Sequence, residues 1–273
     1  MADGVQPFDV VRFDGRRSGP HVDHVASESP LEVRLHGQPF SVIMRTPGAD
    51  EDLAAGFLFS EGVVAEAGEI QRIEIGKSPN EIDVSLAPSR AAVVPELLSE
   101  RRQVVMNSSC GMCGRRTLES LAVNRAPLAV SWTVSAGVIR SLPAGLGACQ
   151  RAFAETGGLH AAGLFDRGGR LELSAEDVGR HNAVDKVIGR MLLGGRLPLE
   201  QSLLFVSGRS SFEIVQKAFL AGIPLVGAVS APSSLAIELA RTAGITLLGF
   251  VRDGRFNCYA HHERVHVGEP AYD

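Results

Sequence analysis

Short apolar runs alternate with amphipathic, helix-length segments in the second half of this 273-residue chain, and that alternation most constrains its fold. Leu203-Leu204-Phe205-Val206, the run Leu225 to Val229 and the run Ile245 to Val251 are each short and apolar. Between the first two lies a segment with Phe212, Val215 and Phe219 on one side, closed by Gly222-Ile223-Pro224. Between the last two, Leu235 and Leu239 share a face that ends near Gly244. Strand, helix, strand, helix, strand at these lengths predicts parallel βαβ crossovers. Ligands of such sheets sit beyond the carboxyl ends of the strands. Those ends read Ser207-Gly208-Arg209-Ser210-Ser211, Ser230-Ala231-Pro232-Ser233-Ser234 and Arg252-Asp253-Gly254-Arg255, all small, polar or basic.

The first half reads differently. Residues 1–26 are polar and weakly patterned and are expected to be a loose start. Leu31 to His36 alternates with period two, Gly37-Gln38-Pro39 is a turn, and Phe40 to Met44 returns, which predicts a hairpin. Thr46 to Asp52 opens a helix whose acidic first turn suits its dipole. Leu53, Gly56, Phe57 and Ser60 share one face of it, and Gly62 stops it. Two further alternating segments, 70–75 and 81–86, predict strands. The expected organisation is a loose segment 1–26, a smaller α+β region 27–105, a cysteine loop 106–118, an α/β domain 119–262 whose sheet has room for N-terminal strands, and a tail 263–273.

Apolar residues make up 45% and charged residues 21%, ordinary values for a globular chain, and the net charge of −4 gives no bulk basic surface for nucleic acid. No basic start followed by an apolar run marks a signal peptide, and no apolar stretch is long enough to span a membrane, so the expected location is cytoplasmic. Four cysteines are too few for a secreted disulfide framework. Isolated Cys149 and Cys258 are expected to be small buried hydrophobes.

Cys110 and Cys113 stand in a glycine-rich loop, Cys110-Gly111-Met112-Cys113-Gly114, followed by Arg115 and Arg116. The spacing alone leaves structural zinc, a thioredoxin-like redox pair and sulfur transfer open. A zinc site needs about four ligands, and no second pair stands nearby. Glycines after both cysteines disfavour the rigid helix start of a thioredoxin-like centre. A loop that carries a thiol or persulfide fits better, because a thiolate attacks a sulfane sulfur as it attacks a disulfide.

Anion-binding candidates cluster elsewhere. Gly157-Gly158-Leu159-His160 precedes a strand-like run, which suits either a ligand approaching the backbone or a simple turn with a half-buried histidine. Glu176 to Asn182, followed by Asp185 and Lys186, is the densest ionisable block. Asn182 to Asp185 resembles a capping box. At that helix start Arg180 and His181 suit a phosphate, with Asp177 orienting either one. Helix capping with surface ion pairs is the plainer alternative. Ser207, Gly208 and Arg209 form a small anion cradle, but it is not a Walker loop, and no dinucleotide glycine fingerprint follows a strand.

Taken in order, these blocks resemble the formate dehydrogenase accessory sulfurtransferase (FdhD) family. The matching pieces are residues 107–114, 156–161, 176–186, 206–213, 231–236 and 249–256, and the resemblance spans roughly residues 28–260. It implies a cytidine-deaminase-like α/β domain and a homodimer. It also implies a sulfurtransferase that takes persulfide sulfur from a cysteine desulfurase and passes it to the molybdenum bis(molybdopterin guanine dinucleotide) cofactor of formate dehydrogenase. On this chain Cys110 becomes the persulfide carrier and Cys113 its partner. The late cofactor-binding segment falls on Phe250, Val251, Arg252, Asp253, Gly254 and Arg255, and the cofactor's diphosphates suit Arg180, Arg209, Arg252 and Arg255. Neither nucleic acid, a membrane nor a structural metal is expected as a partner. Deamination is not implied, because the His-x-Glu and Pro-Cys-x-x-Cys pattern of zinc deaminases is missing. A non-catalytic cofactor chaperone is the alternative function, and a zinc-structured scaffold a third.

Overall fold

The computed structural model describes residues 4–92, 94–95 and 125–268. Its first element corrects the expectation of a loose start. Strands β1 (Val5–Asp14) and β2 (Arg17–Ala26) pair antiparallel along their whole length. Gly15, at φ +58°, makes the turn between them. The period-two signal is faint here because Phe8, Val11, Phe13 and Val22 are all exposed, so neither face reads as a buried one. The base of the hairpin is held where Val5 packs with Ala152 and Leu159.

Strands β3 (Ser29–Leu35) and β4 (Gln38–Arg45) form the expected hairpin, and β5 (Ile70–Ile75) and β6 (Glu81–Leu86) join them in a sheet ordered β4-β3-β6-β5. Alternation in β3 and β6 buries Leu31, Val33, Leu35, Ile82, Val84 and Leu86 on one face. Helix α1 (Asp50–Ser60) starts later than Thr46, because Gly48 (φ +108°) and Ala49 (φ +53°) hold a turn ahead of it. Buried Arg45 fixes that turn through a two-pronged ion pair with Asp50. A short helix, α2 (Pro88–Ala91), follows β6.

The second half supplies β7 (Val134–Ser135), α3 (Ala136–Gly147), α4 (Arg151–Thr156), β8 (His160–Asp166), β9 (Leu171–Asp177) and α5 (Arg180–Leu193). Then come β10 (Ser202–Val206), α6 (Phe212–Leu220), β11 (Leu225–Ala228), α7 (Ser234–Ala243), β12 (Thr246–Arg252), β13 (Arg255–Ala260) and β14 (Val265–His266). The six-stranded sheet runs β13-β12-β11-β10-β8-β9. Its β10, β11 and β12 are parallel, as the pattern predicts, and antiparallel strands flank them on both sides. The N-terminal strands keep their own sheet, and Val265–His266 of the expected tail pairs with β7.

Helices α5, α6 and α7 cover one face of the six-stranded sheet, against Leu164, Leu204, Val206, Val226 and Leu247. Helix α3 covers the other, against Phe165, Leu203, Phe205 and Leu248. The first of these cores continues without a break through α1 into the N-terminal sheet. Helix α1 crosses α5 closely enough that a β-carbon on Gly56 would lie 1.9 Å from the Asp185 carbonyl oxygen.

Three local expectations are corrected. Helix α5 begins at Arg180 behind Gly179, so Asn182 lies inside it and caps nothing. Its Nδ2 instead donates to the carbonyl of Met44 and to Asp177 Oδ1. Cys149 is exposed, since it sits in the turn just past the end of α3. Cys258 is half-buried, and burial raises its thiol pKa.

Candidate functional site

The carboxyl ends of the three parallel strands are stitched into one surface by backbone hydrogen bonds. Ser230 N donates to Gly208 O at 3.4 Å, Ser233 N to Ser210 O at 3.1 Å, and Phe250 N to Ser230 O at 3.1 Å. The loop 207–211 is also tied to β8. Ser207 N donates to Ala161 O at 3.0 Å, and its Oγ accepts from Ala161 N at 2.9 Å. Ser207 is thus a clamp that brings the cradle beside His160. At Gly208 a β-carbon would stand 3.3 Å from His160 Nδ1 and 3.9 Å from Arg180 Cβ, so the missing side chain is what lets these groups converge.

Two grooves open on this surface. One, of about 250 Å³, is lined by Glu28, Met44, His160, Val178, Gly179, Arg180 and His181. It lies at the N-terminus of α5, where first-turn N–H groups favour an anion. Among the described residues, Arg180 Nε and Ser210 Oγ are buried without a hydrogen-bond partner. Buried polar atoms are rarely left unpaired, so these two suit a ligand. Burial, and then the charges of Arg180, His181 and Arg209, lower the His160 pKa. The other groove, of about 350 Å³, is lined by Phe250, Arg252, Arg255 and Asn257. Phe250 takes φ +53°, and the Arg252 guanidinium lies 5.7 Å from its ring centroid. Within that segment, Asp253 and Gly254 form the exposed turn, while the Val251 side chain is buried in the core and offers only its backbone.

His181 is fixed by the start of α6. Its Nε2 lies 3.2 Å from Ser211 Oγ and 3.7 Å from Glu213 Oε2. Burial alone would raise the Glu213 pKa, but hydrogen bonds from His181 and Ser211 outweigh it and hold the carboxyl at about 2. A carboxylate depressed in the fold adds stability that is complete above its unfolded value of 4.5 and is lost as pH falls toward about 2. Thermal unfolding of wild type and Glu213→Gln should therefore differ most at neutral pH, with wild type the more stable. The gap should close across that acid window, and a gap independent of pH would refute the assignment.

The block around Asp177 turns out to be architectural. Asp177 is fully buried; it pairs with Lys186 Nζ at 2.7 Å and accepts from Thr46 N, Gly179 N and Asn182 Nδ2. It orients neither Arg180 nor His181 directly, and its pair with Lys186 is not a surface one. A second buried pair, Asp185 with Lys217, also receives the Ser60 hydroxyl at 2.7 Å. The contacts that this helix and Asp177 make with Thr46 and Ser60 join positions 125 to 140 residues apart. No local pattern could have shown that Met44, Thr46 and Ser60 meet this helix. Glu28, Met44 and Asn257 are likewise groove residues that local reasoning missed.

Cys110 and Cys113 lie outside the described residues. Among those described, no three His, Cys, Asp or Glu side chains gather to hold a metal ion, and no helix is long and apolar enough to cross a membrane.

Residues 26–266 match the model of the FdhD/NarQ family. The chain belongs to that family. A relative from Streptomyces avermitilis named sulfur carrier protein FdhD is 46% identical over 272 residues, covering 94% of each chain. One of the same name from Sulfurisphaera tokodaii is 47% identical over 247 residues, covering 89% of this chain and 92% of that one. A solved structure from Desulfotalea psychrophila, described as a candidate formate dehydrogenase accessory protein, superposes with a TM-score of 0.77 at 29% identity, over 96% of this chain and 99% of that one. The mixed α/β architecture is therefore that of an FdhD-like structure. The β1–β2 hairpin lies almost entirely ahead of the segment that the family model matches.

Proposed function

We propose that this FdhD/NarQ chain is a sulfurtransferase that carries persulfide sulfur from a cysteine desulfurase to the molybdenum bis(molybdopterin guanine dinucleotide) cofactor destined for formate dehydrogenase. The carrying observation is the pair of arginine-bearing grooves on one stitched surface, the first of them lined by Arg180, whose buried Nε has no hydrogen-bond partner. A large ligand with diphosphate groups suits such a surface, and the sulfur-carrier names of the relatives point to the cargo. Arg252 and Arg255 would hold one diphosphate, and Arg180, Arg209 and the α5 N-terminus another anionic group. This reading also takes the chain to be cytoplasmic and homodimeric, with a deaminase-like layering of its α/β domain.

The chemistry is thiol exchange. The Cys110 thiolate attacks the terminal sulfur of the donor's persulfide, a new S–S bond forms on Cys110, and the donor cysteine leaves as its thiolate. The Cys113 thiolate then attacks Cys110 Sγ, forms the Cys110–Cys113 disulfide and expels the carried sulfur as sulfide, which takes the electron pair to the metal. A thiol reductant restores the dithiol.

Incubation with a cysteine desulfurase and cysteine should add the mass of one sulfur atom to the wild-type chain. In Cys110→Ala the adduct should fall to background. Full adduct in that variant would overturn the Cys110 role. The two grooves serve a chaperone that delivers the cofactor unchanged equally well. Full maturation of formate dehydrogenase by a Cys110→Ala/Cys113→Ala variant would establish that reading instead.

A further inference from the structure

The β1–β2 ribbon has no part in the chemistry above, and its two faces are built differently. One face carries Val10, His21 and Asp23. Arg12 reaches along it to pair with Asp23 at 3.7 Å, and all three are partly covered. The other face carries Pro7, Val11, Phe13, Pro20 and Val22. Its base is anchored where Val5 packs with Ala152 of α4. Beyond that base the whole face is exposed, Phe13 at 78%, Val11 at 61% and Val22 at 53%. Phe153, next to Ala152 on α4, is exposed as well.

A two-stranded ribbon is marginal in water unless something packs on its apolar face. The apolar side chains left bare here amount to roughly 500 Å², at the upper end for a lone monomer. The edges of the ribbon are guarded against strand addition. Pro7 on β1 and Pro20 on β2 lack the N–H that an added strand would need. What covers the ribbon therefore lies on its face. The same face of a second copy matches it in size and in charge. Together with its polar members Asp9, Ser18 and His24, the face approaches the ~800 Å² per chain of a standard interface. The ribbon is also polarised along its length. Its tip holds Arg16 and Arg17 against Asp14 alone, while its base runs into exposed Glu28, which lines the first groove. Head-to-tail packing sets each basic tip beside the partner's Glu28, whereas head-to-head packing would crowd four arginines together.

We propose that two copies of this chain join through the ribbon face that carries Val11, Phe13 and Val22, packed head to tail about a two-fold axis, so that each tip brings Arg16 and Arg17 to the rim of the other copy's first groove. This rests on the homodimer of the proposed function and gives it a contact surface. Its test involves no sulfur chemistry, so either can fail without the other.

Sedimentation velocity of the full chain checks it. Wild type should run as a dimer at micromolar concentration. Val11→Asp/Phe13→Asp buries charge in the contact and should raise the dissociation constant at least about a hundredfold. Phe8→Asp, on the opposite face, should leave it within about threefold. Asp9 falls near the axis beside its own copy, so Asp9→Asn should tighten the dimer. Glu28→Arg should weaken it, and adding Arg16→Glu/Arg17→Glu to that variant should restore the affinity. Under oxidation, Val22→Cys at mid-ribbon should form a disulfide with its own copy, seen as a linked peptide, and Ser18→Cys at the tip should not. A wild type that stays monomeric would mean that a different protein covers the ribbon, and would overturn the proposal. A dimer untouched by Val11→Asp/Phe13→Asp would also overturn it. Self-linking at Ser18→Cys but not at Val22→Cys, or no restoration by the charge exchange, would overturn the head-to-tail order.

Discussion

Gly189→Ala is expected to destabilise this protein by more than about 3 kcal/mol, although alanine is the better helix former by about 1 kcal/mol. Gly189 lies where α5 crosses α1. A β-carbon there would stand 1.8 Å from the Asp52 carbonyl oxygen and 2.7 Å from Gly56 N. Both are backbone atoms inside a helix, so no side chain can rotate away, and the helices must separate. Separation opens the core that runs from the N-terminal sheet through Leu53, Leu58, Val184 and Ile188 to the six-stranded sheet. Gly147→Ala supplies the control. That glycine also sits in a helix, but nothing lies within 4 Å of its would-be β-carbon. There the propensity term acts alone, and stability should rise by up to about 1 kcal/mol. Urea denaturation of the two variants reads the difference directly. A Gly189→Ala protein as stable as wild type would mean that the helices do not cross so closely.

Lys186→Met is expected to cost about 3–5 kcal/mol, because it leaves Asp177 ionised and buried without its counter-charge. The two side chains are only 4% and 0% exposed, so solvent screens neither. The three N–H donors that remain on Asp177 soften the loss but carry no full charge. The ammonium is itself bound to the Thr46 carbonyl at 2.9 Å, so the variant also releases the segment that carries Met44 into the first groove. Asp177→Asn should be severe for the mirror reason. The Asp177→Asn/Lys186→Met double variant should be less destabilised than the sum of the single ones, since the second change removes the charge that the first left unpaired. Additive losses in denaturant unfolding would show that the pair is not coupled.

The elements legible in the sequence were those whose own side chains record their burial. The three parallel strands are apolar throughout because both faces are covered, and their helices show one apolar face because one is covered. The β3–β4 hairpin and the later strand pair alternate for the same reason. The β1–β2 hairpin was not legible, since its apolar residues are exposed on both sides. Helix α5 was legible but its start was misplaced, because Asn182 resembles a capping residue while its side chain is claimed by Met44 and Asp177. In the candidate site, the strand-end loops could be named in advance, since chain connectivity alone places them at one edge of the sheet. That Gly208 makes room for His160 beside Arg180 could not, nor that Asn257 faces the Phe250 groove.

By itself, the sequence determined the parallel core, the basic loops at its strand ends, the cysteine pair and the family resemblance, because each is written in neighbouring residues. Only the tertiary structure decided what the ionisable block does. Asp177, Lys186 and Asp185 form buried pairs that lock segments 125 or more residues away against the sheet. Whether a charge binds a ligand or a distant stretch of its own chain depends on what the fold brings within about 3 Å of it, and local spacing carries no record of that.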